Sequence, residues 1–346
     1  MAPNVSDLII DSKLEVESFD NYTIQTRLIS NPAIRQRPTR ERERWQRTKK
    51  LGNGSYGVVW LEKCTTGPSL GEVRAVKAFD KEIANMSIKY QRELEAIAKF
   101  SQEKYRDYFV RSFGWYENEN TVFITMEYLE LGDLEGYLKT RLGVKTRLSN
   151  AEARQIAQQL LEGLVFMHDN NFVHRDLKPA NVLVLHQGPE WWVKIADFGI
   201  TKRIDGTELR TVIGTEAYLA PEVRGIYTTD SQEDDKHTFS FAVDIWAVGA
   251  ITFRMITSQL AFPPGRKLFD YVVGGQPFPV EQSMSSECND FVIKTMAASP
   301  RYRPTSQQAL SYPWILTQEP ISNDSDLPSM TRIDFHVGFC TMEYFQ

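Results

Sequence analysis

His174-Arg175-Asp176-Leu177-Lys178-Pro179-Ala180-Asn181, followed by Asp197-Phe198-Gly199 and then Ala220-Pro221-Glu222, is the stretch whose reading decides the fold. These residues fall in one loop-rich segment, His174 to Glu222, that gathers nearly all the polar motifs of the chain. On both sides the pattern is helical. Upstream, Ser149 followed by Glu152 predicts a capping box, opening a helix whose apolar face is Ile156, Leu160, Leu164 and Met167. Downstream, a strongly apolar helix is expected over about Phe241 to Ile256. Long ordered loops on a helical scaffold are where function sits.

Further upstream the pattern changes to β. From Lys49 to about Lys77 it shows Val58, Val59, Trp60 and Leu61, a turn around Gly67 and Pro68, and then Val73, Ala75 and Lys77. A helix through about Asp80 to Phe100 carries Leu94, Ile97 and Ala98 at helical spacing, and a strand follows at Val122 to Tyr128. The run Leu51-Gly52-Asn53-Gly54-Ser55-Tyr56-Gly57-Val58-Val59 lacks side chains where backbone N–H groups could approach phosphate oxygens. Taken alone it also fits a glycine-rich hairpin turn or a dinucleotide fold. The latter needs a helix directly after the glycines, whereas Val58 to Leu61 continue as a strand, and the Gly-Lys-Ser/Thr ending of a Walker loop is absent.

With Ala75-Val76-Lys77 on the next strand and the three loop motifs in order, the chain resembles the eukaryotic protein kinase family over about Lys49 to Thr317. The resemblance implies an α+β, bilobal fold: a small β-rich N-lobe with one main helix, and a larger, mainly helical C-lobe, with ATP between them. It implies Asp176 as acceptor of the substrate hydroxyl proton, Asn181 and Asp197 as Mg²⁺ ligands, and Lys178 as a stabiliser of the γ-phosphate. Lys77 would pair the α- and β-phosphates, held by Glu93, with Glu95 as the alternative. For the nucleotide it implies the glycine loop Gly52, Asn53, Gly54, Ser55, Tyr56 and Gly57. Leu51, Val59, Ala75 and Leu183 would surround the adenine, with Met126 at the back and the Glu127 to Leu129 backbone as hinge. Asp133 would meet the ribose or a basic substrate side chain. Core packing is the plain alternative for each apolar member. His174, with Phe198 and Ile97, resembles a packed spine rather than a proton shuttle. Asp244 is expected to accept backbone N–H bonds from the loop, and Glu222 to pair with Arg303.

Lys178 together with Thr215 resembles the serine/threonine branch, with Thr215 bridging Asp176 and Lys178. The implied substrates are proteins with serine or threonine acceptors. Arg175 and Lys202 would gather a phosphate on Thr211, although an unmodified loop threonine is the simpler alternative. The spacing from Asn181 to Asp197 resembles calcium/calmodulin-dependent kinases and their checkpoint relatives. Ala180 and Glu216 depart from the wording common in basic-directed kinases, which argues against a strict requirement for upstream arginine.

Composition is that of a globular chain: 346 residues, 42% hydrophobic, 25% charged and 12% aromatic. With 40 Lys+Arg against 45 Asp+Glu the net charge is -5, so no global field points to nucleic acid or an anionic membrane. Cys64, Cys288 and Cys340 are widely spaced and read as free thiols. No leader or spanning segment is apparent, which leaves cytoplasm or nucleus as the expected address. The expected layout is an N-terminal extension over 1–45, a kinase domain over 46–317 divided at 129/130, and a tail over 318–346. The basic run Arg35 to Lys50 is expected as a solvated face, with a nuclear address or acidic-partner patch as alternatives, and Asp230 to Asp235 as a solvated loop. Two other classes are disfavoured: a nucleotide-binding pseudokinase acting as scaffold, because Lys77, Asp176, Asn181 and Asp197 are all present in order, and a metal-independent small-molecule phosphotransferase, because Gly214 to Glu222 resembles a peptide-docking platform.

Overall fold

The computed structural model describes residues 5–30, 35, 37–54, 57–81, 89–139, 147–197, 216–227 and 241–317. The expectations for Ser55, Tyr56, Phe198, Lys202, Thr211, Thr215, Asp230 to Asp235, Cys340 and the tail 318–346 therefore lie outside the described residues, as does the side chain of Glu93.

Helix α1 (Val5–Asp11) is followed by β1 (Glu15–Ser18), β2 (Tyr22–Ile29), β3 (Thr39–Gly54), β4 (Gly57–Thr66) and β5 (Val73–Asp80). Then come α2 (Lys89–Phe100), β6 (Ser112–Glu117) and β7 (Thr121–Met126). Among the described residues these strands make one seven-stranded sheet in the order β1-β2-β3-β4-β5-β7-β6, with antiparallel neighbours. Two expectations change here. β6 was not foreseen, and before residue 46 the stretches Glu15–Ser18 and Tyr22–Ile29 and the start of Thr39–Gly54 are strands of this sheet rather than parts of a patternless extension.

The reason lies in which residues face inward. Side chains alternate between faces along a strand, and on the face shared by β2, β3, β4 and β5 the buried positions include Thr23, Gln25, Glu43, Glu62 and Arg74. Arg74 donates twice to Glu62 Oε2, at 3.0 and 2.9 Å, and once to Gln25 Oε1 at 2.7 Å. Its guanidinium lies 4.0 Å from the centre of the Trp45 ring. Glu43 accepts from Ser69 Oγ at 2.8 Å and from Trp45 Nε1 at 3.1 Å. Part of the basic run is thus interior: Glu43 and Trp45 are buried, while Arg40, Arg42 and Arg44 stay exposed. The opposite face of β5 presents Ala75, Lys77 and Phe79, with Lys77 opposite Val59 on β4 and Ile124 on β7.

The C-terminal part is helical. Helix α3 (Leu134–Leu138) and the long α4 (Asn150–Asp169) precede the short hairpin β8 (Val182–His186) and β9 (Trp192–Ile195). The Ser149/Glu152 capping box is present at the start of α4. The helix Ala242–Thr257 is apolar nearly all round, and nearly all of it is buried, as a central helix requires. It packs against α4 and the helix Ser286–Thr295. The same core takes in Ala96 and Phe100 of α2, with the Phe100 ring 4.8 Å from that of Phe109.

Candidate active site

The loop bearing Asp176 is held from below by a buried carboxylate. Asp244, in the first turn of Ala242–Thr257, accepts from Arg175 N–H at Oδ1 (2.8 Å) and from His174 N–H at Oδ2 (2.9 Å). His168 Nε2 lies 2.9 Å from the same Oδ2. Three donors meet the requirement of a carboxylate that is 1% exposed. The bend they hold is unusual, because Arg175 has φ +67°, a conformation uncommon for a non-glycine residue. His174 is fully buried. Its Nε2 faces the Ala196 carbonyl at 3.0 Å and must donate, which leaves Nδ1 to accept the Asp176 N–H at 3.3 Å. One imidazole therefore ties the Asp176 backbone to the residue preceding Asp197.

Around that frame the polar side chains converge. Lys178 Nζ donates to Asp176 Oδ2 at 2.8 Å, and Asn181 Nδ2 donates to the Asp176 carbonyl at 2.7 Å. Asp197, itself at φ +55°, accepts from Lys77 Nζ at 2.6 Å through Oδ1. Lys77 is 8% exposed, so this pair is shielded from solvent on the lysine side. Beside it a small cavity is lined by Ile97, Val110, Ile124 and Met126. Burial pushes the Asp197 carboxyl up, but the charge and hydrogen bond of Lys77, with the charge of Lys178, more than offset it and hold it below the ordinary aspartate value.

A depressed carboxyl is ionised throughout the neutral range, and the stability it contributes is lost only as pH falls through its folded value. In Lys77→Met the largest opposing charge is gone. Carboxyl NMR titration is then expected to place Asp197 below the ordinary range in the wild type and higher in the variant; an unchanged or lower value in the variant contradicts this.

The nucleotide-pocket candidates divide by environment. Ala75 and Leu129 are buried, and Leu51, Val59, Met126 and Leu183 are half-buried. Ala75 stands opposite Met126 in the β5–β7 register, and Val110, Leu129 and Ala196 form a cluster against which Met126 and Leu183 pack. The glycines are not equivalent. A Cβ at Gly57 would sit 1.8 Å from the Ala78 carbonyl oxygen, so packing within the sheet alone demands glycine there. At Gly52 nothing lies within 4 Å of where a Cβ would be, so sheet packing does not explain its missing side chain. Asp133 uses Oδ1 to cap α3 through the Gly136 N–H at 2.7 Å.

Two residues joined to the site were not anticipated. His168 carries no local motif and is recognised only by its contact with Asp244. Lys194, three positions before Asp197, places Nζ 2.7 Å from Glu127 Oε1, which also accepts the Arg111 N–H at 2.7 Å. The side chain of Glu127, a residue expected at the hinge, is therefore turned to β9. The expected partner of Glu222 is in place: Arg303 meets both carboxylate oxygens, at 2.6 and 2.8 Å.

Asp197 and Asn181 can supply oxygens to a divalent cation. Asn181 spends its amide N–H on Asp176, which leaves its carbonyl oxygen available, and Asp197 has one oxygen beyond that facing Lys77. Among the described residues no cluster of three or more His, Cys, Asp or Glu could hold a metal by itself. This donor set therefore fits a cation that draws its other ligands from phosphate and water, the usual habit of Mg²⁺.

Residues 45–315 match the family described as protein kinase domain. Calcium/calmodulin-dependent protein kinase type 1 of Caenorhabditis briggsae is 30% identical over 79% of this chain and 73% of its own length. Serine/threonine-protein kinase RAD53 of Saccharomyces cerevisiae is 31% identical over 77% of this chain but only 32% of its own. Mitogen-activated protein kinase kinase kinase 2 of Arabidopsis thaliana is 30% identical over 83% of this chain and 43% of its own. The resemblance to the calcium/calmodulin-dependent group is thus matched by relatives, and other kinase groups stand at the same identity.

Proposed function

The chain belongs to the protein kinase family and is a serine/threonine protein kinase, and from that premise we propose which of its residues carry the transfer of the γ-phosphate of Mg-ATP to serine and threonine hydroxyls of proteins. The observation that supports this best is the convergence on one loop-and-strand junction of Lys77 with Asp197, and of Lys178 and Asn181 with Asp176.

In this reading ATP lies between the sheet and the helical part, with its adenine among Leu51, Val59, Ala75 and Leu183. Lys77, oriented by Glu93, meets the α- and β-phosphates. Asn181 and Asp197 would hold Mg²⁺, which would supply positive charge to offset that of the phosphate oxygens. Asp176 orients the substrate hydroxyl and takes its proton as the new O–P bond forms and the bond to ADP breaks. Lys178, which donates to Asp176, stabilises the oxygens of the transferring phosphoryl group, and Thr215 bridges the two. Such a site works by position and charge rather than covalent chemistry. Thr211, once phosphorylated, would be bound by Arg175 and Lys202.

The test is transfer of labelled γ-phosphate to a mixed protein fraction, with and without Mg²⁺, followed by phosphoamino-acid analysis. Label on phosphoserine and phosphothreonine, dependent on Mg²⁺ and abolished in Lys77→Met, is the expected result. Label on phosphotyrosine alone, or equal transfer by Lys77→Met, contradicts the proposal.

A further inference from the structure

The match to the kinase family begins at residue 45, yet the residues before it complete the sheet and touch the helix that matters most to Lys77. A single short stretch binds both edges of the seven-stranded sheet. Glu15–Ser18 pair with Thr23–Thr26 of β2 at one edge. Immediately before, at the other edge, Leu14 N–H donates to the Trp115 carbonyl at 2.7 Å and Trp115 N–H donates to the Ser12 carbonyl at 3.1 Å. An edge strand with open N–H and C=O groups is a liability, and here the chain's own N-terminal segment covers part of it.

The contact is built on both sides. Gly114 sits at φ +127°, and a Cβ there would lie 2.5 Å from the Ser12 oxygen and 2.7 Å from Leu14 Cδ2, so the approach needs glycine. The Trp115 indole N–H donates to the Ile9 carbonyl at 3.0 Å. Lys13 Nζ meets Glu117 at 2.8 Å and lies 4.8 Å from the centre of the Trp115 ring. The hydrogen bond from Lys13, with that from Lys81, holds the Glu117 carboxyl below its ordinary value.

What this segment reaches gives it a role. Helix α1 packs on α2. Ile9 packs on the cluster of Phe79, Leu94, Trp115, Val122 and Ile124, together with Ile97. Leu94 is 1% exposed and follows Glu93, and Ile97 also lines the cavity beside Lys77 and Asp197. The apolar seat of α2 is therefore shared by β5, β6, β7 and the N-terminal segment.

We propose that residues 8–14 are a clasp, with Ile9 as its positioning residue, that holds α2 at the distance from β5 at which Glu93 reaches Lys77. The role rests on the reading that Glu93 orients Lys77. A seat of packed side chains tolerates a shape-conserving change and not a charge, so Ile9→Asp should release the helix while Ile9→Leu should keep it.

The experiment uses the full-length chain, measuring steady-state kinetics and backbone hydrogen exchange on wild type, Ile9→Leu, Ile9→Asp and Glu93→Gln. In Ile9→Asp, amide exchange over Lys89–Phe100 is expected to speed at least tenfold while Ala242–Thr257 keeps its protection. Its kcat is expected to fall at least tenfold with the KM for protein substrate unchanged, and Ile9→Leu to match the wild type. If exchange over Lys89–Phe100 is unchanged, or if it rises equally throughout the chain, the clasp is overturned. Selective loosening of the helix without loss of kcat overturns its positioning role, and wild-type kcat in Glu93→Gln then identifies the Glu93 reading as the part that failed. Should Ile9→Asp not fold, Ile9→Ala reports the same readouts with the same rejecting outcomes.

Discussion

Asp176→Asn is expected to lower kcat by about 10²–10⁴-fold, the range by which a positioned general base accelerates a reaction, while leaving the fold and the affinity for ATP nearly intact. The substitution keeps the size of the side chain and removes its negative charge and its ability to take a proton. The loop is held by other groups. Asp244 accepts from the backbone N–H groups of His174 and Arg175, and Asn181 binds the Asp176 backbone carbonyl rather than depending on the carboxylate alone. Thermal unfolding of the variant should therefore resemble that of the wild type, and the loss should lie in the chemical step. A kcat within tenfold of wild type would remove Asp176 from the role assigned to it.

Arg303→Ala is expected to cost about 3–5 kcal/mol of stability, because it leaves the Glu222 carboxylate buried without its partner. The guanidinium uses every N–H it has. Nε donates to Ala297 O at 2.8 Å, one terminal nitrogen to Glu222 Oε1 at 2.6 Å and Ala242 O at 3.1 Å, and the other to Glu222 Oε2 at 2.8 Å and Ala298 O at 3.3 Å. It also lies 4.9 Å from the centre of the Trp246 ring. A lysine has three donors and no fork, so Arg303→Lys should recover only part of the loss. Removing both charges, as in Glu222→Gln with Arg303→Met, should cost less than Arg303→Ala, since no ion is then stranded. Chemical denaturation of the three variants checks the order, and a loss below about 1 kcal/mol in Arg303→Ala, the size of a typical exposed pair, contradicts it.

The fold was legible where chemistry is written in short runs. The Ser149 capping box, the Asp244 clamp and the Glu222–Arg303 pair were all anticipated, because each belongs to a local signature or to a motif with fixed order. The β1–β2–β3 region was not. Strand recognition relies on alternation of apolar and polar residues, and on these strands the inward positions include Thr23, Gln25 and Glu43 beside the single aromatic Trp45, so the inward face reads as largely polar. Their burial depends on Arg74 and Ser69, which come from distant turns and strands. The Lys194–Glu127 pair was hidden for a related reason, since its members are 67 positions apart and no short run links their side chains. Lys77 is found in contact with Asp197, and the side chain of Glu93, its other expected partner, lies outside the described residues.

Phosphoryl transfer by this chain requires Lys77, Asp176, Asn181 and Asp197 to surround the end of one nucleotide, and a crystal structure of the full chain with Mg²⁺ and a non-hydrolysable ATP analogue tests this most directly. The predicted result is adenine among Ala75, Leu51 and Leu183, phosphates contacting Lys77, the metal on Asn181 and Asp197, and the terminal phosphate facing Asp176. A nucleotide bound elsewhere, or a terminal phosphate out of reach of Asp176 with the metal on neither ligand, would contradict it.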